Sequence, residues 1–245
     1  MILLSLLLFT EPLVSTASAE EAASIDSKGI NTLWAQRDWG GHTDEAIALL
    51  EAAKTANPDD YEVRWQLARF YYWKAGSKSG AKKAEWGKKA WDEAEAAKKL
   101  EPGKVEGWYW AAASIGAYSQ GSGIMNAVKE GLADEFKDNA TKAIKIDGAH
   151  DHGGPYRALG RFYTNLPWPL QDLDAAEANL LKSIEADDDF AINLYYLADV
   201  YKQDGDDTKA REYAEKAAAQ DPASSGDPPS TRKHVKLANA MLEEL

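Results

Sequence analysis

The chain has 245 residues, with 40 acidic and 28 basic side chains, a net charge of −12 and no cysteine. The negative charge argues against nucleic-acid binding, which needs a basic surface. The missing thiols exclude disulfides, thiol catalysis and cysteine-ligated zinc. Abundant alanine, lysine, glutamate and aspartate, with few β-branched residues, predict an all-α protein.

The first residues have the pattern of a secretory signal peptide. An apolar run at residues 2–9 precedes Ala17-Ser18-Ala19, an A-x-A cleavage pattern. The run is too short to span a bilayer as a helix, and no later stretch approaches that length, so we predict no membrane span. The run lacks a preceding lysine or arginine, and the alternative is a disordered or mis-assigned N-terminus. We therefore predict cleavage after Ala19 and a periplasmic or secreted mature chain.

A frame of apolar and small positions then recurs along the chain. The first unit, about residues 27–60, places Leu33 and Trp34 on one helix and Ala46 and Leu50 on a second, and ends at Pro58. Proline ends a helix because it lacks the backbone N–H. The second unit, about residues 61–104, repeats this order with a lysine-rich insertion at residues 72–89.

The third and fourth units, about residues 105–150 and 153–190, carry further insertions. Residues 116–131 predict a Gly/Ser-rich turn and then a short amphipathic helix from about Ile124. In the fourth unit, Pro167 and Pro169 forbid helix between its two halves. Insertions of this kind often crowd the binding face of a repeat protein, although longer helices that enlarge the core are an equal alternative.

The fifth unit, about residues 191–224, shows the pattern most clearly. Leu194, Leu197, Ala198 and Tyr201 follow the i, i+3, i+4, i+7 spacing of one helix face, and Pro222 ends the unit. Residues 225–245 then read as a linker and a capping helix. We predict that this helix covers residues 232–244 and begins at a cap provided by Ser230 or Thr231.

Helix–turn–helix units of about 34 residues with this pattern are tetratricopeptide repeats (TPRs). Because each repeat needs neighbours to bury its apolar face, we predict one right-handed superhelix over residues 20–222. It contains about five repeats with insertions and a C-terminal capping helix.

The concave surface of such a superhelix is formed by positions 2, 5, 9 and 12 of each first helix. Arginine matches carboxylates with a planar fork, and aromatic rings supply apolar area. The pattern predicts a groove for an anionic or amphipathic small ligand, or for an acidic peptide of a protein partner. In the alternative, the arginines pair with internal acids such as Glu106 or Asp199. We expect Arg157 to stand between Tyr109 and Tyr195. The candidate groove residues are Trp65, Arg69, Tyr72, Tyr109, Arg157, Arg161, Tyr195 and Lys202.

The sequence predicts no catalytic residue, cofactor or metal. It has no P-loop, G-x-S-x-G or H-E-x-x-H motif. Asp147, His150, Asp151 and His152 precede the fourth unit, but an H-x-H pair in a loop is a weak metal signal. We therefore predict a non-enzymatic protein.

Residues 155–201 are more specific than a generic repeat. They contain L-G-R-x-Y from Leu159, A-x-x-x-L-x-x-S-I from Ala176 and N-x-x-Y-L-A from Asn193. This stretch resembles the T-component of bacterial TRAP-transporter-associated proteins and, more loosely, the regulator-of-microtubule-dynamics type of TPR protein.

The T-component resemblance implies an envelope-located protein that assembles around a central pore as a homo-oligomer. It also implies a periplasmic solute-binding protein as partner and an organic, apolar ligand. This chain departs from that family because it has no lipoprotein cysteine, which puts membrane anchoring in doubt. No catalytic residue follows from the resemblance.

Overall fold

The computed structural model describes residues 26–245, so the predicted signal peptide lies outside the described residues. Within that part the chain forms twelve helices and no strand. The helices are α1 (Ser27–Ala35), α2 (His42–Ala56), α3 (Tyr61–Gly76), α4 (Gly80–Leu100), α5 (Val105–Ser122), α6 (Ile124–Lys129), α7 (Leu132–Asp147), α8 (His150–Asn165), α9 (Leu173–Ala186), α10 (Ala191–Asp204), α11 (Asp207–Ala218) and α12 (Pro228–Glu244).

These helices pack as successive pairs, which confirms the predicted TPR solenoid. The pairs are α1–α2, α3–α4, α5–α7, α8–α9 and α10–α11, with α6 inserted in the third and α12 covering the last. The second helix of each pair brings at least one alanine with no exposed surface to the interface, and one occurs at the equivalent frame position of every pair. These alanines are Ala46, Ala90, Ala140, Ala176 and Ala210. A small side chain at this position lets the two helices approach closely.

None of the helices within residues 26–245 combines the length and the apolar character needed to cross a bilayer.

The turn predicted in the third unit begins later than expected. Helix α5 continues through the Gly/Ser-rich stretch to Ser122, and the chain turns at Gly123, whose φ of 102° suits glycine. The earlier glycines serve packing instead. A Cβ atom on Gly121 would lie 2.3 Å from the backbone nitrogen of Ala84, so α4 and α5 pack backbone to backbone. The predicted short helix follows as α6.

The capping helix begins four residues earlier than predicted. Its cap is Asp227, whose Oδ1 accepts the backbone N–H of Ser230 at 3.2 Å, rather than Ser230 or Thr231. Pro228 and Pro229 form the first turn of α12, where proline is tolerated because the N–H groups there lack helical partners. The sequence pattern instead predicts both prolines in the linker.

The two ends of the solenoid are in contact. Arg37, in the loop after α1, donates to Asp227 with Nη2–oxygen distances of 2.7 and 2.6 Å. Asp38 accepts from Nε and Nη2 of Arg232 at 2.7 and 2.8 Å. We name these two ion pairs the end closure. Because the two ends meet, the concave surface of the solenoid lines a cavity.

Candidate functional site

A cavity of about 740 Å³ lies at the centre of the closed solenoid. Its walls come from every helix except α9 and α11, together with the loop after α1. Six aromatic residues of the lining, which we name the aromatic wall, are Trp34, Tyr72, Trp73, Tyr109, Trp110 and Tyr196. Six apolar residues, which we name the apolar end, are Ile124, Val128, Leu132, Phe136, Phe162 and Leu166. The cavity is therefore suited to an apolar body of considerable size.

The cavity is electropositive within an acidic protein. Seven basic and four acidic side chains line it. Each of the four acids is already paired with a cation. The pairs are Asp38–Arg232, Asp44–Lys74, Asp151–Arg157 and Asp227–Arg37. The surplus charge is thus positive.

Three lysines in the lining, Lys78, Lys83 and Lys233, have no acidic partner among residues 26–245. We name them the lysine cluster. Burial lowers the pKa of Lys83, and the charge of Lys233 lowers it further. Lys233 on α12 and Lys83 on α4 line the same cavity. An anion between them would relieve their repulsion.

Of the eight residues predicted for the groove, four line the cavity: Tyr72, Tyr109, Arg157 and Arg161. The other four do not line it: Trp65, Arg69, Tyr195 and Lys202.

Arg157 is held by the protein itself. Its Nη2 donates to Tyr109 Oη at 3.1 Å and to Asp151 Oδ2 at 2.6 Å, and its Nη1 donates to Asn193 Oδ1 at 3.0 Å. Burial disfavours its charge, but Tyr109 and Asp151 outweigh that effect and raise its pKa. Arg157 therefore fixes the positions of Tyr109, Asp151 and Asn193 around it. Most of its N–H donors are used in these bonds.

A left-handed turn at the start of α8 makes this arrangement possible. Asp151, His152 and Gly153 have φ values of 50°, 58° and 74°, a conformation that costs about 1–2 kcal/mol for each residue with a side chain. The turn places the Asp151 carboxylate and the His152 carbonyl against Arg157. Gly153 is required because a Cβ atom there would lie 2.7 Å from the Ser183 carbonyl oxygen.

In the structure Arg157 and Arg161 both pair with acidic side chains of the protein, as the alternative interpretation of the groove predicts. Arg161 donates to Asp199, one of the two acids named for this role, and its guanidinium lies 4.2 Å from the centre of the Tyr196 ring. Arg157 pairs with Asp151 rather than with Glu106, which accepts from Tyr61 at 2.7 Å.

The expectation that Arg157 stands between Tyr109 and Tyr195 is wrong on one side. The guanidinium contacts Tyr109, but its other neighbours are Asn193 and the Phe190 ring, 5.3 Å away. Tyr195 instead packs against His234 of the capping helix at a ring distance of 5.7 Å. The repeat positions predicted Tyr195 in the groove, but α12 covers that face of α10 and takes up the tyrosine ring.

The other predicted residues take part in packing. The Arg69 guanidinium lies 4.6 Å from the ring centres of both Trp34 and Trp65, and Nη2 donates to Asn31 at 2.8 Å. Burial, with the nearby charge of Arg37, lowers the pKa of Arg69 to about 9. Lys202, on α10, pairs with Glu244 of α12.

The histidines before the fourth unit are engaged separately. His152 Nδ1 lies 2.6 Å from Asp187 Oδ2, and its ring stacks on Phe190 at 4.1 Å. His150 packs edge-on against Tyr109 at 5.4 Å. Over the part of the chain that the structure describes, no three metal-ligating side chains come together.

Sequence reasoning missed Trp34, Trp110 and the part of the lining that comes from α12. Its only usable signal for the lysine cluster was the lysine-rich insertion at residues 72–89. His234 and Lys233 could not be placed in the cavity, because their approach depends on the end closure between segments about 190 residues apart.

A family model described as Regulator of microtubule dynamics protein 1-3 matches residues 34–244. Among solved structures, a thermophilic TPR protein of Thermus thermophilus is similar, with 20% identity and a TM-score of 0.66, over 88% of this chain and 100% of that chain. The pilF protein of Pseudomonas aeruginosa is similar, with 15% identity and a TM-score of 0.55, over 93% of each chain. No curated protein matches significantly.

At these identities the solved structures establish the fold alone, which is the TPR solenoid. The matches do not confirm the resemblance to the T-component family, which stays a prediction.

Proposed function

Because the chain belongs to the family described as Regulator of microtubule dynamics protein 1-3, and because its solenoid closes around a cavity, we propose that it is a non-enzymatic binding protein for an amphipathic anion. The apolar body of the ligand occupies the space between the aromatic wall and the apolar end. Its acidic group lies at the lysine cluster.

The observation that carries this proposal is the charge of the cavity. Every lining acid is paired, whereas Lys78, Lys83 and Lys233 have no acidic partner in residues 26–245. Lys78 and Lys233 are exposed and Lys83 is half-buried, so these lysines can meet the acidic group of a ligand whose apolar body lies inside the cavity. The cavity volume of about 740 Å³ lies within the range of pockets that bury small molecules.

The test is whether the protein binds dodecanoate, measured by native mass spectrometry and by titration. The cavity variant is Lys83→Gln combined with Lys233→Gln. Loss of two charged contacts should weaken binding at least about tenfold. The control, Lys88→Gln with Lys89→Gln, removes the same charge from lysines of α4 outside the lining. The proposal fails if dodecanoate does not bind, or if both double variants bind it alike.

A protein partner is a second candidate function. TPR solenoids commonly present surfaces to partners, and Trp168 is 89% exposed beside Leu170, which is 46% exposed. These residues lie in the Pro-rich loop between α8 and α9. In this alternative the chain is a purely structural adaptor of the cell envelope. Two results together would favour the adaptor: the protein does not bind dodecanoate, and Trp168→Ala abolishes capture of its protein partner.

Two further predictions concern the setting of this function. Export with cleavage after Ala19 is tested by N-terminal sequencing of the envelope fraction, where an intact Met1 would contradict it. Association with a periplasmic solute-binding protein of a TRAP-type uptake system follows only from the sequence resemblance. It predicts co-purification of that partner with the exported chain.

A further inference from the structure

Three polar atoms on residues that line the cavity have no hydrogen-bond partner in the described part of the chain. They are the hydroxyl oxygens of Tyr72 and Tyr196 and the Nε2 atom of His234. The Tyr196 and His234 rings are 5.5 Å apart. Tyr72 lines the same cavity as Tyr196 and His234. We name these three residues the neutral polar subsite.

The hydrogen bonds of His234 fix the role of each ring nitrogen. Nδ1 lies 2.7 Å from the backbone carbonyl oxygen of Ser230, one turn earlier in α12. A carbonyl oxygen can only accept, so Nδ1 carries the proton. In the neutral ring, Nε2 then offers a lone pair and can only accept a hydrogen bond.

The surroundings of His234 keep the ring neutral. Only 3% of its surface is exposed, and it packs against the rings of Tyr195 and Tyr196. Burial, together with the charge of Lys233, lowers its pKa to about 3. The neighbouring side chains offer Nε2 no hydrogen bond, so this acceptor is free for a group inside the cavity. A donor group on a ligand would supply the missing partner.

We propose that Tyr72, Tyr196 and His234 recognise a hydroxyl group of the ligand. The tyrosine hydroxyls donate to the ligand oxygen, and His234 Nε2 accepts its O–H. This inference rests on the proposed function, because it names the chemical class of the same ligand. Lys233 precedes His234 in α12, and its charge is one cause of the lowered pKa of that ring, so we place the hydroxyl on the part of the ligand nearer its acidic group. The preferred ligand class is therefore a 2- or 3-hydroxy acid with an apolar chain.

The experiment compares dodecanoate with 2- and 3-hydroxydodecanoate by calorimetric titration of the whole protein. For the wild type we expect one of the hydroxy acids to bind about 3- to 10-fold more tightly, which corresponds to one or two neutral hydrogen bonds. His234→Phe should remove this preference while dodecanoate still binds. Tyr196→Phe, which keeps the ring, should reduce it.

The control is Tyr213→Phe, on α11 and outside the cavity lining. It should leave the preference unchanged. If neither hydroxy acid is preferred, or if the preference survives both His234→Phe and Tyr196→Phe, the inference is wrong while the proposed function stands. If no acid binds, both are wrong. Should His234→Phe not fold, Tyr196→Phe alone decides, because it removes only one hydroxyl group.

Discussion

The Nη2 atom of Arg37 lies 2.7 and 2.6 Å from the two carboxylate oxygens of Asp227, a residue 190 positions further along the chain. The Arg37 guanidinium is also held 3.8 Å from the ring centre of Trp34 and 4.3 Å from that of Trp73. Both partners are nearly buried, with side-chain exposures of 2% and 13%. This contact joins the first repeat to the capping helix and so encloses the cavity.

Removing one partner of this ion pair should be strongly destabilising. Arg37→Ala leaves Asp227 buried without a countercharge, which typically costs about 3–5 kcal/mol. Asp227→Asn keeps a good helix cap but removes the charge, so its effect isolates the ion pair from the cap. Urea denaturation gives both values. The control Lys88→Ala breaks an exposed pair with Asp92 and should change stability by less than about 1 kcal/mol. Equal effects of Arg37→Ala and Lys88→Ala would contradict the end closure.

The stability of the protein should fall below pH 6.5 because of His234. Its folded pKa, about 3, is lower than its ordinary value of 6.5. Between these values the unfolded chain binds a proton at this residue that the folded chain does not bind. The free energy of unfolding therefore decreases as the pH falls through this window, by up to about 1.4 kcal/mol per pH unit.

His234→Gln removes this titration, so the variant should lose less stability than the wild type between pH 7 and pH 5. The expected difference is about 2 kcal/mol, measured by urea denaturation at both pH values. Contributions from carboxylates are common to the two proteins and cancel. Parallel losses of stability would show that His234 is protonated in the folded protein.

The packing of the last repeat should not tolerate a larger side chain at Ala214. This residue has no exposed surface and lies between Ala198 of α10 and Met241 of α12. Ala214→Leu should overpack the interface and lower the free energy of unfolding by about 1–3 kcal/mol. Ala52→Leu, on the exposed face of α2, is the control and should change it by less than about 0.5 kcal/mol. Unchanged thermal stability of Ala214→Leu would mean that the helix pairing is wrong.

Arg161 should affect ligand binding more than folding. It lines the cavity and pairs with Asp199, and both side chains are about a quarter exposed, at 26% and 22%. Arg161→Ala removes a positive charge from the cavity lining and leaves the Asp199 carboxylate without its cation. We expect dodecanoate binding to weaken by about 1.5–3 kcal/mol and stability to fall by about 1 kcal/mol. A large loss of stability with unchanged binding would assign Arg161 a structural role alone.

The sequence was sufficient for the fold because the TPR pattern is local. Ala46 and Leu50, for example, define one buried helix face through spacing alone. Gly121 was harder, since its close approach to Ala84 of another helix has no local signature and was interpreted as part of a turn. Helix identity was therefore predictable, and the ends of α5 and α12 were less so.

The cavity was predicted only in part, for the same physical reason. Tyr72 and Arg161 follow from their positions on the inner helices. The approach of Arg37 to Asp227 depends on how the solenoid curves over five repeats, and no periodicity encodes it. The left-handed turn at Asp151 also cannot be predicted from local sequence preferences, because a residue with a side chain adopts this conformation only when tertiary contacts stabilise it.

The central claim is that the closed cavity binds an amphipathic anion. It is tested most directly by calorimetric titration of the wild-type protein with dodecanoate and, separately, with dodecyltrimethylammonium, which has the same apolar chain and the opposite charge. The lysine cluster predicts saturable binding of one dodecanoate per chain and at least about tenfold weaker binding of the cation. Equal affinity for the two, or no binding of dodecanoate, would contradict the account.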